Sequence, residues 1–260
     1  HKNSDHLSEL HPALIHLFYL SMTGDMHNFS LQHKKLTEYS TPHEPFQNYV
    51  TSLVSVWKAF LLCGETRYDE ALGLLQYDYA KLTHNQEGCL PPSHILGLQA
   101  YCMTFLGNNS NQIKDVLNKA SNLNNKTGGV WQDSLHNIIA GATMSRIKDY
   151  QESFKMLEIA CNQTSLLQLN YLHMCARFQR GILYLKLQKF ALAQNDIGYS
   201  LAMMNQNKII RCWGVSRDDI IMVTHFSCFQ CLEEISALRM CKQELHITCS
   251  ENQEIIPMLH

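Results

Sequence analysis

Charge, proline and long apolar runs are all scarce in this chain of 260 residues. Charged side chains make up 17% of it and nearly cancel to a net charge of −2, so bulk charge favours neither nucleic acid nor an anionic membrane as partner. Mean hydropathy is −0.20 and no apolar run approaches the roughly 18 residues of a membrane span, so we expect no transmembrane helix. The hydrophobic fraction of 45% nevertheless predicts a sizeable buried core.

Cysteine occurs at ten positions, which is too few for a disulfide-stapled scaffold. Several cysteines fall inside apolar helical patterns, where a free thiol packs as a small hydrophobe in a reducing compartment. The chain begins at His1 and shows no apolar signal-peptide core. We therefore expect an intracellular protein of the cytoplasm or nucleus, and interpret the sequence as a fragment or a trimmed subunit.

Proline occurs only six times and leaves the strongest periodic runs uninterrupted. In these runs apolar residues recur at the i, i+3, i+4, i+7 spacing of an amphipathic helix, and no alternating strand pattern competes with them. Short polar links join the runs in pairs, which predicts antiparallel helix hairpins. The pairs are 52–63 with 68–82, 135–146 with 150–160 and 175–187 with 190–203, with weaker ones at 11–39 and 95–120; loops are expected at 40–44, 85–92 and 123–129.

The hairpins form an internal repeat. An aromatic residue opens the second helix at Tyr68, Tyr150 and Phe190, which gives a step of about 40 residues if a weaker unit fills the first gap. Gly141 and Gly181 on the first helices, opposite small residues on the second, predict a close approach within each hairpin. This small–aromatic–aromatic–small pattern resembles the tetratricopeptide-repeat family over residues 52–204, although the family step is about 34 residues.

The resemblance implies an all-α fold, a right-handed α-solenoid of stacked antiparallel hairpins; a HEAT-like stacking of the same hairpins is the alternative. We expect an N-terminal hairpin or cap in residues 1–47, repeats in 48–204 and C-terminal capping helices in 205–260. In the last region, residues 209–213 and 218–241 are predicted to form one more long helix or a helix pair. Ser216 or Asp218 is the expected N-cap.

No catalytic constellation is recognisable, so we expect a non-enzyme that needs no metal or cofactor. Cys228 and Cys231 form a single CxxC near His225 and Cys241, but zinc needs a second pair, and these residues have helical spacing. A zinc or redox protein, or a helical enzyme using this cysteine-rich helix, is the alternative function. A basic face over residues 177–189 leaves direct nucleic-acid binding as a weaker hypothesis.

The resemblance implies that a partner lies along the concave wall built by the first helix of each hairpin. We predict a non-catalytic scaffold that grips an extended or helical segment of another protein within a stable intracellular complex, without membrane contact. The predicted partner-binding residues, taken from the family's first-helix positions, are Leu53, Val56, Phe60, Leu135, Ile138, Ala142, Ser145, Arg146, Cys175, Phe178, Ile182, Leu185 and Lys186.

Overall fold

The computed structural model describes residues 2–38, 44–84, 93–127 and 129–227, and all regular secondary structure in these ranges is α-helical. This confirms the all-α prediction. The helices are α1 (Lys2–Thr23), α2 (Met26–Glu38), α3 (Glu44–Gly64), α4 (Tyr68–His84), α5 (Ser93–Phe105), α6 (Ser110–Thr127), α7 (Val130–Arg146), α8 (Tyr150–Leu166), α9 (Asn170–Lys186), α10 (Phe190–Asn207) and α11 (Arg217–Ser227).

The first ten helices form five consecutive hairpins, because the links inside each pair are only two to four residues long. Each of these turns has one residue in the left-handed conformation, followed by an N–H that bonds to a carbonyl five residues back. In the last hairpin this bond joins the Lys189 N–H to the Tyr184 carbonyl at 2.8 Å. Such turns end a helix and satisfy its last carbonyls. The left-handed residues are Gly24, Thr66, Gly107, Lys148 and Gln188.

The helices lie in two layers. The first helices of the hairpins pack side by side in the order α1, α3, α5, α7 and α9, and we call this layer the first-helix wall. The second helices pack on their own partners, and α4, α6 and α8 also pack on the first helix of the next hairpin. Contacts between neighbours of this kind are typical of helical repeats.

The glycines on α7 and α9 lie where the two helices of a hairpin come closest. A Cβ atom at Gly141 would lie 2.6 Å from the side chain of Leu157, and one at Gly181 would lie 2.6 Å from that of Ile197. The hydroxyl of Ser153 donates a hydrogen bond to the Gly141 carbonyl at 2.7 Å, which fixes the approach of α8. The close packing predicted from the small residues is therefore confirmed.

Histidines buried among the first helices predict a loss of stability in mild acid. His94 on α5 is 3% exposed, and burial, aided by nearby His136, lowers its pKa to about 4. The unfolded chain binds a proton near pH 6.5. Between these values the unfolded state binds more protons than the folded state, so stability falls as the pH falls.

We expect protonation of His94 in the unfolded chain to lower the free energy of unfolding by roughly 3 kcal/mol between pH 7 and pH 4. Urea unfolding at a series of pH values measures this loss. The His94→Leu variant should lose correspondingly less stability over the same interval. An unchanged pH dependence in His94→Leu would contradict the assignment.

Candidate functional site

The segment after α10 runs back across the first-helix wall. Lys208 adopts the left-handed conformation and ends α10, a non-helical stretch follows over residues 209–216, and α11 continues from Arg217. We call residues 209–227 the returning segment. Its contacts reach first helices from α1 to α9. Part of the wall is therefore covered by the chain itself.

Hydrogen bonds to main-chain atoms of the non-helical stretch hold it against α1 and α9, the first and last helices of the wall. The N–H groups of Ile210 and Arg211 both donate to the Met22 carbonyl at the end of α1, at 3.3 and 3.1 Å. From α9, the Tyr171 hydroxyl donates to the Arg211 carbonyl at 3.2 Å and the Gln179 amide to the Trp213 carbonyl at 3.3 Å. All of these bonds use backbone atoms of the segment, so they do not depend on which side chains Ile210, Arg211 and Trp213 carry.

Trp213 and Gly214 form the most closely fitted part of the segment. The indole of Trp213 is fully buried and stacks on Phe60 of α3, with ring centroids 4.1 Å apart and an interplanar angle of 24°. Gly214 has a φ of +76°, and a Cβ atom there would lie only 2.7 Å from the Cβ of Ala142 on α7. This position therefore requires glycine for both its backbone conformation and its contact.

Arg211 lies in the groove between α1 and α3. Its guanidinium occupies the space beside Gly64, where a Cβ atom would lie 1.4 Å from Nη1, and its Nε is 2.9 Å from the Cβ position of Gly24. A cavity of about 20 Å³ lies next to it, lined by residues of α3, α5 and the returning segment, including Tyr101. That volume is sufficient for one water molecule.

The start of α11 lies against two cations of the wall. Arg146 at the end of α7 donates to the Ser216 hydroxyl at 3.0 Å and to the Asp218 carboxylate at 3.4 Å, while its guanidinium lies over the ring of Phe105. Lys186 at the end of α9 has its Nζ 3.9 Å from a carboxylate oxygen of Asp219. Burial lowers the pKa of Lys186, and the Asp219 carboxylate opposes this shift.

Ser216 caps α11. The Asp219 N–H donates to the Ser216 hydroxyl oxygen at 3.2 Å, and the Ser216 N–H donates to the Asp219 carboxylate at 2.9 Å. This reciprocal arrangement is a capping box, with an acidic residue in the first turn where the helix dipole favours negative charge. Of the two expected N-caps, Ser216 is the one observed.

The predicted partner-binding residues all lie on α3, α7 or α9 of the first-helix wall. Three of them, Leu53, Arg146 and Lys186, are half-buried. Phe60, Ala142, Arg146 and Lys186 contact the returning segment directly, so the structure brings these four together at one surface. The buried ones are Val56, Phe60, Leu135, Ile138, Ala142, Ser145, Cys175, Phe178, Ile182 and Leu185. Their binding of a partner stays a prediction, because this chain's own atoms surround them.

One local prediction in the C-terminal region is wrong. Residues 209–213 were expected to be helical, but they form the non-helical part of the returning segment. The N–H groups of Ile210 and Arg211 bond to α1 instead of to carbonyls of their own turn. The sequence signal was Gly214 itself, since a glycine within an apolar run indicates a turn or a break.

The proposed basic face is largely paired within the chain. Arg177 and Arg180 both bind the buried carboxylate of Asp196, at 2.8 and 2.6 Å, and Lys186 donates to the Ser145 hydroxyl. Neither arginine is therefore a free cation on an open surface that could follow a phosphate backbone.

Two further expectations concern a metal site and a membrane-spanning helix. Within them, no group of three or more His, Cys, Asp or Glu side chains is placed to hold a metal ion. Cys228, Cys231 and Cys241 lie outside the described residues, as does the side chain of His225. Of the helices in the described ranges, none has both the length and the apolar character for crossing a bilayer.

The chain matches no protein-family model, and neither curated proteins nor solved structures gave a significant match.

Proposed function

We propose that this protein is a non-catalytic scaffold subunit that binds a segment of a partner protein on its first-helix wall. The complex would be stable and intracellular, in the cytoplasm or the nucleus. The observation that carries this proposal is the returning segment, because the wall already holds a stretch of polypeptide through backbone hydrogen bonds, an aromatic contact and ion pairs. A surface that accepts polypeptide in this way is suited to a segment of another protein.

The fold we propose is a right-handed, tetratricopeptide-like α-solenoid with a step of about 40 residues and a concave first-helix wall. The turn residues support this step, since Gly24, Thr66, Gly107, Lys148 and Gln188 are 42, 41, 41 and 40 positions apart. Stacked units of constant length are expected to produce a curved wall that follows an extended ligand.

Affinity capture of the intact chain from its own cell extract, with quantitative mass spectrometry, tests the function. The wild type is compared with the double variant Arg146→Glu/Lys186→Glu, which reverses charge on the wall. The matched control is Lys119→Glu/Lys155→Glu, which makes the same change at exposed positions of α6 and α8. Circular dichroism establishes that both variants keep their helices.

We expect one protein to be captured at a stoichiometric ratio by the wild type and the control, and to be lost from the wall variant. Equal capture by all three forms would place the partner on another surface and contradict the proposed wall. Capture of no stoichiometric partner by the wild type would contradict the scaffold function itself.

A further inference from the structure

We propose that the returning segment occupies the site on the first-helix wall that the partner binds. The partner segment that replaces it would carry residues of the same chemical types in the same order. That chemistry is an aromatic residue followed by glycine and, within the next five residues, two adjacent carboxylates at the start of a helix. This inference rests on the proposed function and specifies which ligand the wall selects.

The first requirement is steric. A flat aromatic side chain fits against Phe60, because the stacked rings of Phe60 and Trp213 are 4.1 Å apart with both side chains buried. A Cβ atom on the next residue would lie only 2.7 Å from the Ala142 Cβ, so only a residue without a Cβ atom fits there. A replacing segment therefore needs an aromatic–glycine pair, as in Trp213–Gly214.

The second requirement is electrostatic. Arg146 and Lys186 project from the ends of neighbouring wall helices, and their side chains are only 18% and 20% exposed. Both face the carboxylates of Asp218 and Asp219, and the Arg146 Nε is buried without a hydrogen-bond partner in the described part of the chain. A ligand without carboxylates would leave two half-buried cations unpaired, which is costly. The wall therefore selects an acidic helix start.

The connection to the returning segment makes replacement feasible. Asn205, Gln206, Asn207 and Lys208 are all exposed, and the left-handed Lys208 ends α10 before the segment begins. The hairpins do not need to open when the segment leaves. A tethered segment acts at an effective concentration of the order of millimolar, so a weak competitor in solution cannot displace it. A partner segment that makes the same contacts with the wall recovers the free energy that is lost when the returning segment is displaced.

In the experiment, a substitution displaces the returning segment from the wall, and the same segment is supplied as a separate peptide. The probe is a fluorescently labelled peptide of residues 208–227, titrated under reducing conditions against the full chain and followed by fluorescence anisotropy. The Gly214→Leu chain should release its own segment, because the new side chain collides with Ala142 while the wall stays unchanged. The matched control is Gly107→Leu, which places the same side chain at a φ of +74° in open space.

We expect the peptide to bind the Gly214→Leu chain at least tenfold more tightly than the wild type or the Gly107→Leu chain. Peptides carrying Gly214→Leu or Asp218→Lys/Asp219→Lys should bind at least tenfold more weakly than the unchanged peptide. If Gly214→Leu lowers the helical content, the Trp213→Ala chain replaces it, since this change removes the aromatic contact without adding bulk.

A folded, opened chain that does not prefer the peptide would overturn the inference. So would equal binding of the charge-reversed peptide, because the acidic requirement would then be wrong. A stable dimer of the wild-type and Gly214→Leu chains without peptide binding would make a second copy the occupant instead. Peptide binding needs no cellular partner, so this result and the affinity capture can fail independently.

Discussion

Replacing Trp213 by alanine should destabilise the chain by about 3–5 kcal/mol, the usual cost of removing a large aromatic side chain from a core. The indole is fully buried and stacks on Phe60, so its loss removes apolar contact area from both the segment and the wall. Urea unfolding followed by circular dichroism measures the loss. A dye that fluoresces on apolar surface should also bind the variant more strongly, because the wall beneath the segment becomes accessible.

The matched control for this change is Trp131→Ala. Trp131 lies half-buried in the first turn of α7 and packs against the edge of the core. Its removal should cost clearly less than that of Trp213 and leave dye binding near the wild-type level. Similar losses in both variants would mean that the returning segment contributes no more than an ordinary peripheral contact.

Replacing Asp196 by asparagine should destabilise the last hairpin by about 3–5 kcal/mol, because breaking a buried ion pair leaves uncompensated charge. The Asp196 carboxylate on α10 is 3% exposed; it accepts from Arg177 at 2.8 Å through one oxygen and from Arg180 through both oxygens, at 2.6 and 3.1 Å. Asparagine keeps the shape but removes the charge from a site with two guanidinium groups. Urea unfolding of the variant measures the cost.

Glu158→Gln provides the comparison. Glu158 on α8 binds the same Arg180 at 2.8 Å, but its side chain is 41% exposed. Solvent screens an exposed pair, so this change should cost at most about 1 kcal/mol. If Glu158→Gln proves as costly as Asp196→Asn, burial of the carboxylate is not what makes the Asp196 site important.

The hairpins were predictable from the sequence because their signals are local. Apolar periodicity indicated α3, α4 and α7–α10, and the aromatic residues at Tyr68, Tyr150 and Phe190 coincide with the starts of α4, α8 and α10. The close approach at Gly141 and Gly181 followed from the need for small residues where two helices touch. Each inference depends on residues within one hairpin.

The predictions that failed depend on contacts between distant residues. A loop was expected over residues 123–129, yet α6 continues to Thr127. Its Asn124 is buried, accepting a hydrogen bond from Ser93 at 2.9 Å and donating another to Asp133. These partners offset the low helix propensity of asparagine, and a local pattern does not reveal them.

The candidate site was predictable only in part, for the same reason. First-helix positions such as Phe60, Ala142, Arg146 and Lys186 were singled out, and they do converge on one surface. Their contact with residues 209–219 was not foreseen, because no short-range pattern reports that a segment after α10 returns as far as α1. Long-range pairing of this kind requires knowledge of the whole stack.

The returning segment is attached to both ends of the first-helix wall, and this should change how the molecule responds to force and how it unfolds. In a linear stack each unit contacts only its neighbours, so the stack can bend like a spring and unravel from either end. Here the Met22 carbonyl on α1 and the Tyr171 and Gln179 side chains on α9 hold the same short stretch of chain. These contacts add to a direct one between α1 and α9, where the rings of Phe18 and Tyr171 have centroids 5.8 Å apart. With the two ends linked in this way, bending should be restrained, fraying at one end should loosen the other, and the hairpins should unfold as one cooperative unit.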